Sequence, residues 1–354
     1  MRAPINLKRP EDRRLWVMYA VLAVIFVIIE VMISTKSISS SMKGMLVPIC
    51  AYMVMAVSLN LVVGVLGELS LGHAGFMSIG AFSGVACAMI LQKVVTYAPL
   101  RLSIAMLTGA AFAGVAGFLI GIPVLRLKGD YLAIVTLAFG EIIKSLLNNT
   151  YFGMDKAGLH FSMLRDTTGL LKGGKMIING PMGIGGIRKI STFGAGAVLL
   201  LIALVIVFNL VRSRWGRTFM AIRDDRIAAE SIGIDVTRFK MTAFVISAAI
   251  AGAAGTLFAM NYSTIVANKF DFNTSILVLV FVVLGQRRVV GAMTAAAALT
   301  ILPEKLRQFR DYRMLIYAVL LVAIMIITNN PTVKNFFDGI NPFRKKAKEA
   351  RHGN

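Results

Sequence analysis

Charged residues are scarce in this chain of 354 residues, which excludes an ordinary soluble domain. Only 16% of the residues are charged, whereas soluble domains contain about 25%. Hydrophobic residues make up 57% of the chain, and the mean hydropathy is +0.76. Several apolar stretches reach the roughly 20 residues that a helix needs to cross a bilayer. The composition therefore predicts an integral membrane protein in contact with lipid.

Metal-binding and nucleotide-binding motifs are also lacking. Cys50 and Cys87 lie in apolar stretches and give neither a disulfide framework nor metal spacing. The histidines, His73, His160 and His352, form no ligand pair at helical spacing, so neither a metal site nor a cofactor is expected. No G-x-x-x-x-G-K-[ST] phosphate loop is present. ATP hydrolysis, if it drives the function, must therefore take place on another chain.

Basic residues outnumber acidic ones, and the net charge is +21. On a soluble protein this excess would indicate a nucleic-acid partner. Here Lys and Arg lie mostly in loops and tails, where they retain those segments in the cytoplasm. Nucleic acid is therefore not expected as a partner.

Apolar stretches of span length recur along the chain. They predict an all-α fold, a polytopic bundle of about 8–10 transmembrane segments with broken or re-entrant helices. No small-x-small cleavage site follows the first stretch, so we expect an uncleaved span and not a secretory signal. The predicted spans lie near 15–33, 44–66, 70–92, 100–125, 131–148, 193–211, 241–262, 274–302 and 313–328.

Charge orients these spans. We expect a cytoplasmic basic N-terminal tail (1–14), a transmembrane domain (15–328) with a cytoplasmic loop at 213–240, and a basic cytoplasmic C-terminal tail (329–354). Six predicted spans separate the N-terminal tail from the cytoplasmic loop, as two segments on one side require. The 149–192 loop then lies outside, and its glycines and mixed charges predict a flexible loop.

The stretch 274–302 complicates this topology. Three plain crossings after residue 240 would leave the basic C-terminal tail outside. An interruption at GQRRVVG (285–291) allows 274–302 to be a hairpin of two half-helices that returns to the same face. We therefore expect a broken or re-entrant segment here.

The charged segment, residues 213–240, has the start and stop signals of two short helices. The first is predicted over about 216–223. Asp224 or Asp225 can cap the second, and Gly233 suits the left-handed position that ends a helix. Such a small amphipathic helix, with Ile227, Ala228 and Ile232 on one side, suits docking into a partner's groove.

Four stretches resemble the LivM-like permease subunits of branched-chain amino-acid ABC importers, with a type II importer fold. These are GRTFMAIRDDRIAAESIGIDVTRFK (216–240), LRLKGDYLAIVTLAFGEIIK (125–144), SLNLVVGVLGELSLGHAGFMSIGAFSG (58–84), and the ends of 270–321, LPEKLR and DYRMLIY. The resemblance covers about 45–328. It departs at Gln286, Arg287 and Arg288, where relatives usually carry a glycine-rich pattern, so the pathway or docking surface there is altered, the tip is solvated, or the local sequence carries an artefact.

In that family the segment corresponding to 213–240 couples the permease to the ATPase. The resemblance assigns ATPase coupling to a set of residues in this segment: Gly216, Arg223, Asp224, Asp225, Ala229, Glu230 and Gly233.

A second set is expected along the substrate path, because interrupted helices expose backbone groups that can bind an amino acid's ammonium and carboxylate near the midplane. The set is Asn60, Gly64, Gly67, Gly72, His73, Gly75 and Glu141. The glycines can equally serve tight packing alone, and Glu141 can equally be interfacial.

The resemblance implies a permease in the bacterial cytoplasmic membrane that imports leucine, isoleucine and valine by alternating access. Its implied partners are ATP-binding ABC subunits, a second homologous permease and an extracytoplasmic solute-binding protein. Three alternatives stay open: a urea or short-amide ABC permease of the same family, an ion-coupled secondary transporter, and an integral-membrane enzyme. The last lacks a nucleophile–base pair or metal cluster in the sequence.

Overall fold

The computed structural model describes residues 10–35, 40–127, 129–155, 158–163, 174–286 and 288–306, with seven further positions between 315 and 326. The chain divides into two compact units, 1–297 and 298–354. The second contains the end of one helix and the helical positions beyond 314. Both predicted tails and the predicted span 313–328 lie wholly or largely outside the described residues, although the helix that begins at Pro10 includes the last part of the predicted N-terminal tail.

Helices dominate the described part of the chain, as the apolar stretches predict. Their bounds are α1 Pro10–Ser34, α2 Ser40–Asn60, α3 His73–Ile90, α4 Ala98–Val124, α5 Asp130–Asn148, α6 Phe193–Arg212, α7 Arg214–Asp224, α8 Arg226–Ser231, α9 Val236–Ala259, α10 Phe272–Leu284 and α11 Val289–Lys305. A π-helix, Leu61–Leu66, continues directly from α2. By length and composition, 8 helical segments within the described ranges could cross a membrane.

The centre of the first unit is built where α3, α4 and α9 pack against one another through small residues. A Cβ on Gly80 of α3 would meet the backbone of Gly252 on α9. The Thr256 hydroxyl then donates a hydrogen bond of 2.7 Å to the carbonyl of Gly80. Small residues let helix backbones approach closely where lipid supplies no hydrophobic drive for association.

Helix α1, unlike the central helices, is mostly exposed. Most of its described side chains are exposed, and Val17, Val24 and Val27 are each more than half exposed. Exposed apolar residues along most of a helix of span length are typical of a surface that contacts lipid. Phe26 nevertheless packs edge-on against Phe193 of α6, which attaches α1 to the bundle.

The 149–192 loop is not flexible throughout, so that prediction was wrong for its described residues. Strands β1 Thr150–Met154, β2 Leu159–Met163 and β3 Lys175–Asn179 form an antiparallel sheet in the order β2-β1-β3. A second small sheet pairs β4 Ile184–Gly185 with β5 Thr264–Ile265. These strands contain β-branched and aromatic residues, which favour strands, and their backbone groups are satisfied by pairing with the neighbouring strands. The glycine content of the loop gave no indication of this pairing.

The stretch 274–302 is broken, as predicted. Helix α10 ends at Leu284 and α11 begins at Val289. A Cβ on Gly285 would meet the backbone of Ala292, so the chain turns tightly. Gln286 adopts a φ of 55°, a left-handed conformation in which a non-glycine side chain is strained. Whether α10 and α11 return to the same face stays a prediction.

Candidate functional site

The first helix of the charged segment starts at a close turn. The Ser213 hydroxyl accepts a hydrogen bond of 3.4 Å from the backbone N–H of Gly216 and so caps α7. Gly216 is buried, and a Cβ there would collide with the backbone of Val211 in α6. This glycine therefore serves the fold, because it lets α7 turn back against the end of α6.

Helix α8 has the predicted cap at each end. The Asp225 carboxylate accepts hydrogen bonds from the N–H groups of Ile227 (2.9 Å) and Ala228 (3.0 Å). At the other end Gly233 has a φ of 84°, its N–H bonds to the carbonyl of Glu230, and the next N–H bonds to that of Ala229. This paired arrangement is a Schellman motif. Of the two predicted caps, Asp225 is the one used.

The two faces of α8 differ in chemistry. Ile227 and Ile232 are 79% and 76% exposed, whereas Ala229 is buried. Ala229 belongs to an apolar core that joins α7, α8, α9 and the π-helix, together with Leu61, Val65, Leu66, Phe219, Ile222, Val236 and Ala243. Glu230 pairs with Arg226 at 2.8 Å on the exposed side. The charged segment thus presents a firmly supported apolar face to its surroundings.

The helix break, residues 61–72, is the second element of the site. The π-helix Leu61–Leu66 ends at Gly67, whose φ of 83° is left-handed, and an irregular segment then leads to α3. Single-turn π-helices occur frequently at functional sites. Asn60 lies just before the break and is fully buried, and neither amide atom has a hydrogen-bond partner among the described residues.

His73 begins α3 deep inside the bundle. Its Nε2 lies 2.7 Å from the Ser58 hydroxyl of α2. That hydroxyl also donates a hydrogen bond of 2.8 Å to the carbonyl of Met55. Ser58 precedes Leu66 by two helical turns, or about 12 Å. The chain therefore re-enters the bundle after the helix break, and a role of His73 in the substrate path stays a prediction.

Close backbone contacts hold the start of α3 against α5. A Cβ on Gly72 would meet the carbonyl of Thr136, and one on Gly75 would lie 3.1 Å from the Cα of Gly140. The Thr136 hydroxyl accepts a hydrogen bond of 3.0 Å from the N–H of Leu71. Gly72 and Gly75 therefore have a packing role in this structure.

Glu141 stands apart from these residues. It pairs with Lys144 one turn along α5, and its side chain is 41% exposed. The structure therefore brings His73 together with Gly72 and Gly75 at the start of α3, but Glu141 makes no hydrogen bond to this group among those the structure shows.

The two predicted sets of residues touch each other. The Arg223 guanidinium donates hydrogen bonds to the Asp224 carboxylate (2.9 Å) and to the carbonyl of Gly64 (3.3 Å). Its side chain also covers Gly67, where an added Cβ would lie 2.5 Å from the Arg223 Cγ. Gly64 and Gly67 therefore lie against the charged segment at the end of the span, and not near its middle as expected.

Sequence reasoning missed an ion pair next to this contact. Lys240 of α9 pairs with Glu68 of the helix break, and their side chains are only 3% and 15% exposed. A lysine five residues into an apolar helix was the available signal, but the positive-inside rule explains that lysine equally well.

Buried polar groups without partners define what the site can do chemically. Among the described residues, no hydrogen-bond partner is found for the amide of Asn60, the hydroxyl of Ser70 or the Nδ1 of His73. Buried polar atoms are normally satisfied by protein or by bound molecules. These atoms can hydrogen-bond to water or to a small polar solute inside the bundle.

The comparisons with known proteins agree with this architecture of spans, a helix break and a capped charged segment. Residues 41–327 match the family described as branched-chain amino acid transport system, permease component. Two relatives are high-affinity branched-chain amino acid transport system permease proteins LivM, from Salmonella typhimurium strain LT2 (40% identical) and Escherichia coli strain K12 (38%). Each alignment covers 78% of this chain and 66% of the relative, so the chain spans just under two thirds of their length.

A more distant relative is an autoinducer 2 import system permease protein LsrC from Enterobacter sp. strain 638, 26% identical over 55% of this chain and 60% of its own. No solved structure matches the chain significantly.

The fold and these matches define a multi-pass membrane protein of a transport-permease class. The chain belongs to the family of branched-chain amino acid transport system permeases.

Proposed function

We propose that this chain is the permease subunit of an ABC importer that takes up leucine, isoleucine and valine across the bacterial cytoplasmic membrane. ATP binding and hydrolysis on separate subunits would drive alternating access. The substrate class rests on the LivM relatives, whose names give branched-chain amino acid transport. The structural support is the α7–α8 unit, which is capped at both ends and fixed to the bundle by a buried core.

The exposed face of α8 supports a docking role. Two isoleucines are more than three quarters exposed: Ile227 in α8 and Ile232 directly after its end, on either side of buried Ala229 in sequence. A partner's groove would remove their apolar surface from water, and each fully buried side chain contributes about 1.5–3 kcal/mol. The basic residues of this segment support a cytoplasmic location by the positive-inside rule, which would put it on the side of the ATPase subunits.

The other partners follow from the same arrangement. The binding protein would deliver substrate at the opposite face, where the described strands between α5 and α6 lie. Substrate would cross between this chain and a second, homologous permease. The unpartnered polar atoms of Asn60, Ser70 and His73 could then bind the ammonium or carboxylate group of the amino acid in passing.

Transport can be tested with the full complex in proteoliposomes. We expect ATP-dependent uptake of radiolabelled leucine that requires the binding protein and persists with a protonophore. Uptake of urea in place of leucine would show that the proposed substrate is wrong. Uptake abolished by the protonophore and independent of ATP would refute the ABC mechanism.

Docking can be tested by cross-linking. Cysteine at Ile227 or Ile232 should cross-link to the ATPase subunit in intact cells. A matched control is Met182→Cys, which is 71% exposed but lies before α6, about 30 Å from the charged segment across that 20-residue helix. Equal capture of the ATPase subunit by the control, or no capture by either isoleucine position, would contradict the docking assignment.

A further inference from the structure

Two polar contacts join the charged segment to the helix break on either side of Gly67. Before it in sequence, the Gly64 carbonyl accepts a hydrogen bond from Arg223. After it, the Glu68 carboxylate pairs with Lys240. The partners are separated by 159 and 172 residues, so tertiary structure alone brings them together.

Each contact meets a specific electrostatic need. The carbonyl of Gly64 lies in the last turn of the π-helix, where carbonyls lack partners within the helix and a cation is favoured. The Glu68–Lys240 pair is almost wholly buried. Loss of either partner would leave the other charge uncompensated in a region of low dielectric. Both contacts therefore resist separation of the two elements.

Apolar packing reinforces the same junction. Leu61, Val65 and Leu66 of the helix break share one buried core with Phe219 and Ile222 of α7. Close-packed interiors transmit displacement instead of absorbing it. A movement of α7 and α8 would therefore move the π-helix with them.

The far end of the helix break is tied to the buried polar groups. The Leu71 N–H donates to Thr136 of α5, and the Ala74 N–H donates to the Ser275 hydroxyl of α10 at 3.2 Å. Next to them His73 contacts Ser58. The helix break thus spans from the charged segment to the unpartnered atoms within the bundle.

We propose that Arg223, Glu68 and Lys240 are positioning residues that transmit movement of the charged segment to the helix break, and through it to the polar groups around His73. This inference rests on the proposed function, because the movement originates from docked ATPase subunits. It assigns Gly64 and Gly67 to the transmission of movement instead of to substrate contact.

Variants of the buried pair test the link in the reconstituted complex. Lys240→Met removes one charge, and the exchanged pair Glu68→Lys with Lys240→Glu restores opposite charges. We expect Lys240→Met to lower the number of leucine molecules taken up per ATP at least tenfold while ATP hydrolysis continues, and the exchanged pair to recover much of it. The control is Lys269→Met, whose cation lies over the Tyr262 ring, away from both elements.

A second measurement separates transmission from stability. Amide hydrogen exchange over 61–68 should change when a non-hydrolysable ATP analogue binds the wild-type complex, and Lys240→Met should abolish that change. If Lys240→Met does not assemble, Arg223→Met removes the hydrogen-bond donor to the Gly64 carbonyl without leaving a charge in the buried pair. An unchanged uptake ratio together with an unchanged exchange response in the assembled variant would overturn the inference.

The outcomes also distinguish the two proposals. If the wild-type complex responds to nucleotide at 61–68 but takes up no branched-chain amino acid, the proposed substrate fails and the link stands. If uptake is normal but the variants behave as wild type, only the link fails. If no ATPase subunit binds, both fail, because there is then no movement to transmit.

Discussion

Gly67 and Gly233 form a natural pair for measuring the contact between the charged segment and the helix break. Both have left-handed backbones, with φ of 83° and 84°. An added Cβ at Gly67 would lie 2.5, 3.3 and 3.4 Å from Cγ, Cδ and Cβ of Arg223. At Gly233 nothing lies within 4 Å of the same atom. Alanine substitution therefore imposes the same backbone strain at both positions and a steric clash at only one.

The expected losses of stability follow from the backbone strain and the steric clash. Left-handed backbone costs a non-glycine residue about 1–2 kcal/mol, so Gly233→Ala should destabilise the chain by that amount. Gly67→Ala should lower the free energy of unfolding by the same amount and by a further ~1–3 kcal/mol for overpacking, because the first side-chain carbons of Arg223 have to move. That movement also breaks the hydrogen bond to Gly64.

The assay is unfolding of the purified chain in mixed micelles, followed by tryptophan fluorescence. Trp215 is a local reporter, because its ring packs 4.8 Å from that of Phe239 within the charged segment. In an Arg223→Ala background, the loss of unfolding free energy caused by Gly67→Ala should decrease to that caused by Gly233→Ala. Equal costs of the two alanines in the wild-type background would refute the close approach of Arg223 to the helix break.

Three further outcomes are expected, each measured by the same unfolding assay. Gly80→Val should destabilise the chain by at least ~1–3 kcal/mol, because its side chain would meet a facing helix backbone, whereas Gly194→Val has open space and should cost less than 1 kcal/mol. Asp225→Ala should cost about 1 kcal/mol and speed amide exchange in α8, and Asp225→Asn should keep most of the cap. Gln286→Gly should stabilise by about 0.5–1 kcal/mol, since release of left-handed strain exceeds the entropy cost of glycine; a destabilising effect would show that the side chain is needed.

The sequence predicts the local features of this protein well. Hydropathy located α2 to α6 and α9 to within a few residues, because each span has to satisfy its own backbone in lipid. The Asp225 cap and the left-handed Gly233 were also predicted, since both depend on bonds made within one turn of chain.

Features that depend on distant contacts were not predicted. The strands after Asn148 lie in a glycine-rich loop, and some of them pair with segments that are distant in sequence, as β4 does with β5. Composition alone therefore indicated a flexible loop. The pairing of Glu68 with Lys240 could not be predicted either, because no pattern in one segment specifies which of many basic residues will reach a given carboxylate. Expected substrate contacts at Gly64 and Gly67 had the same weakness: glycine indicates close approach but not what approaches.

The physical consequence is that the charged segment and the helix break, which the sequence presents as separate elements, form one unit. They share a buried core, a buried ion pair and a capped carbonyl, and the helix break has a left-handed turn at its centre that few residues other than glycine can adopt. A force applied to α8 would therefore act on a backbone that already departs from a regular helix. Because an interrupted helix can change its turn without breaking a continuous ladder of hydrogen bonds, this junction is where a small displacement at one face can alter the geometry around His73.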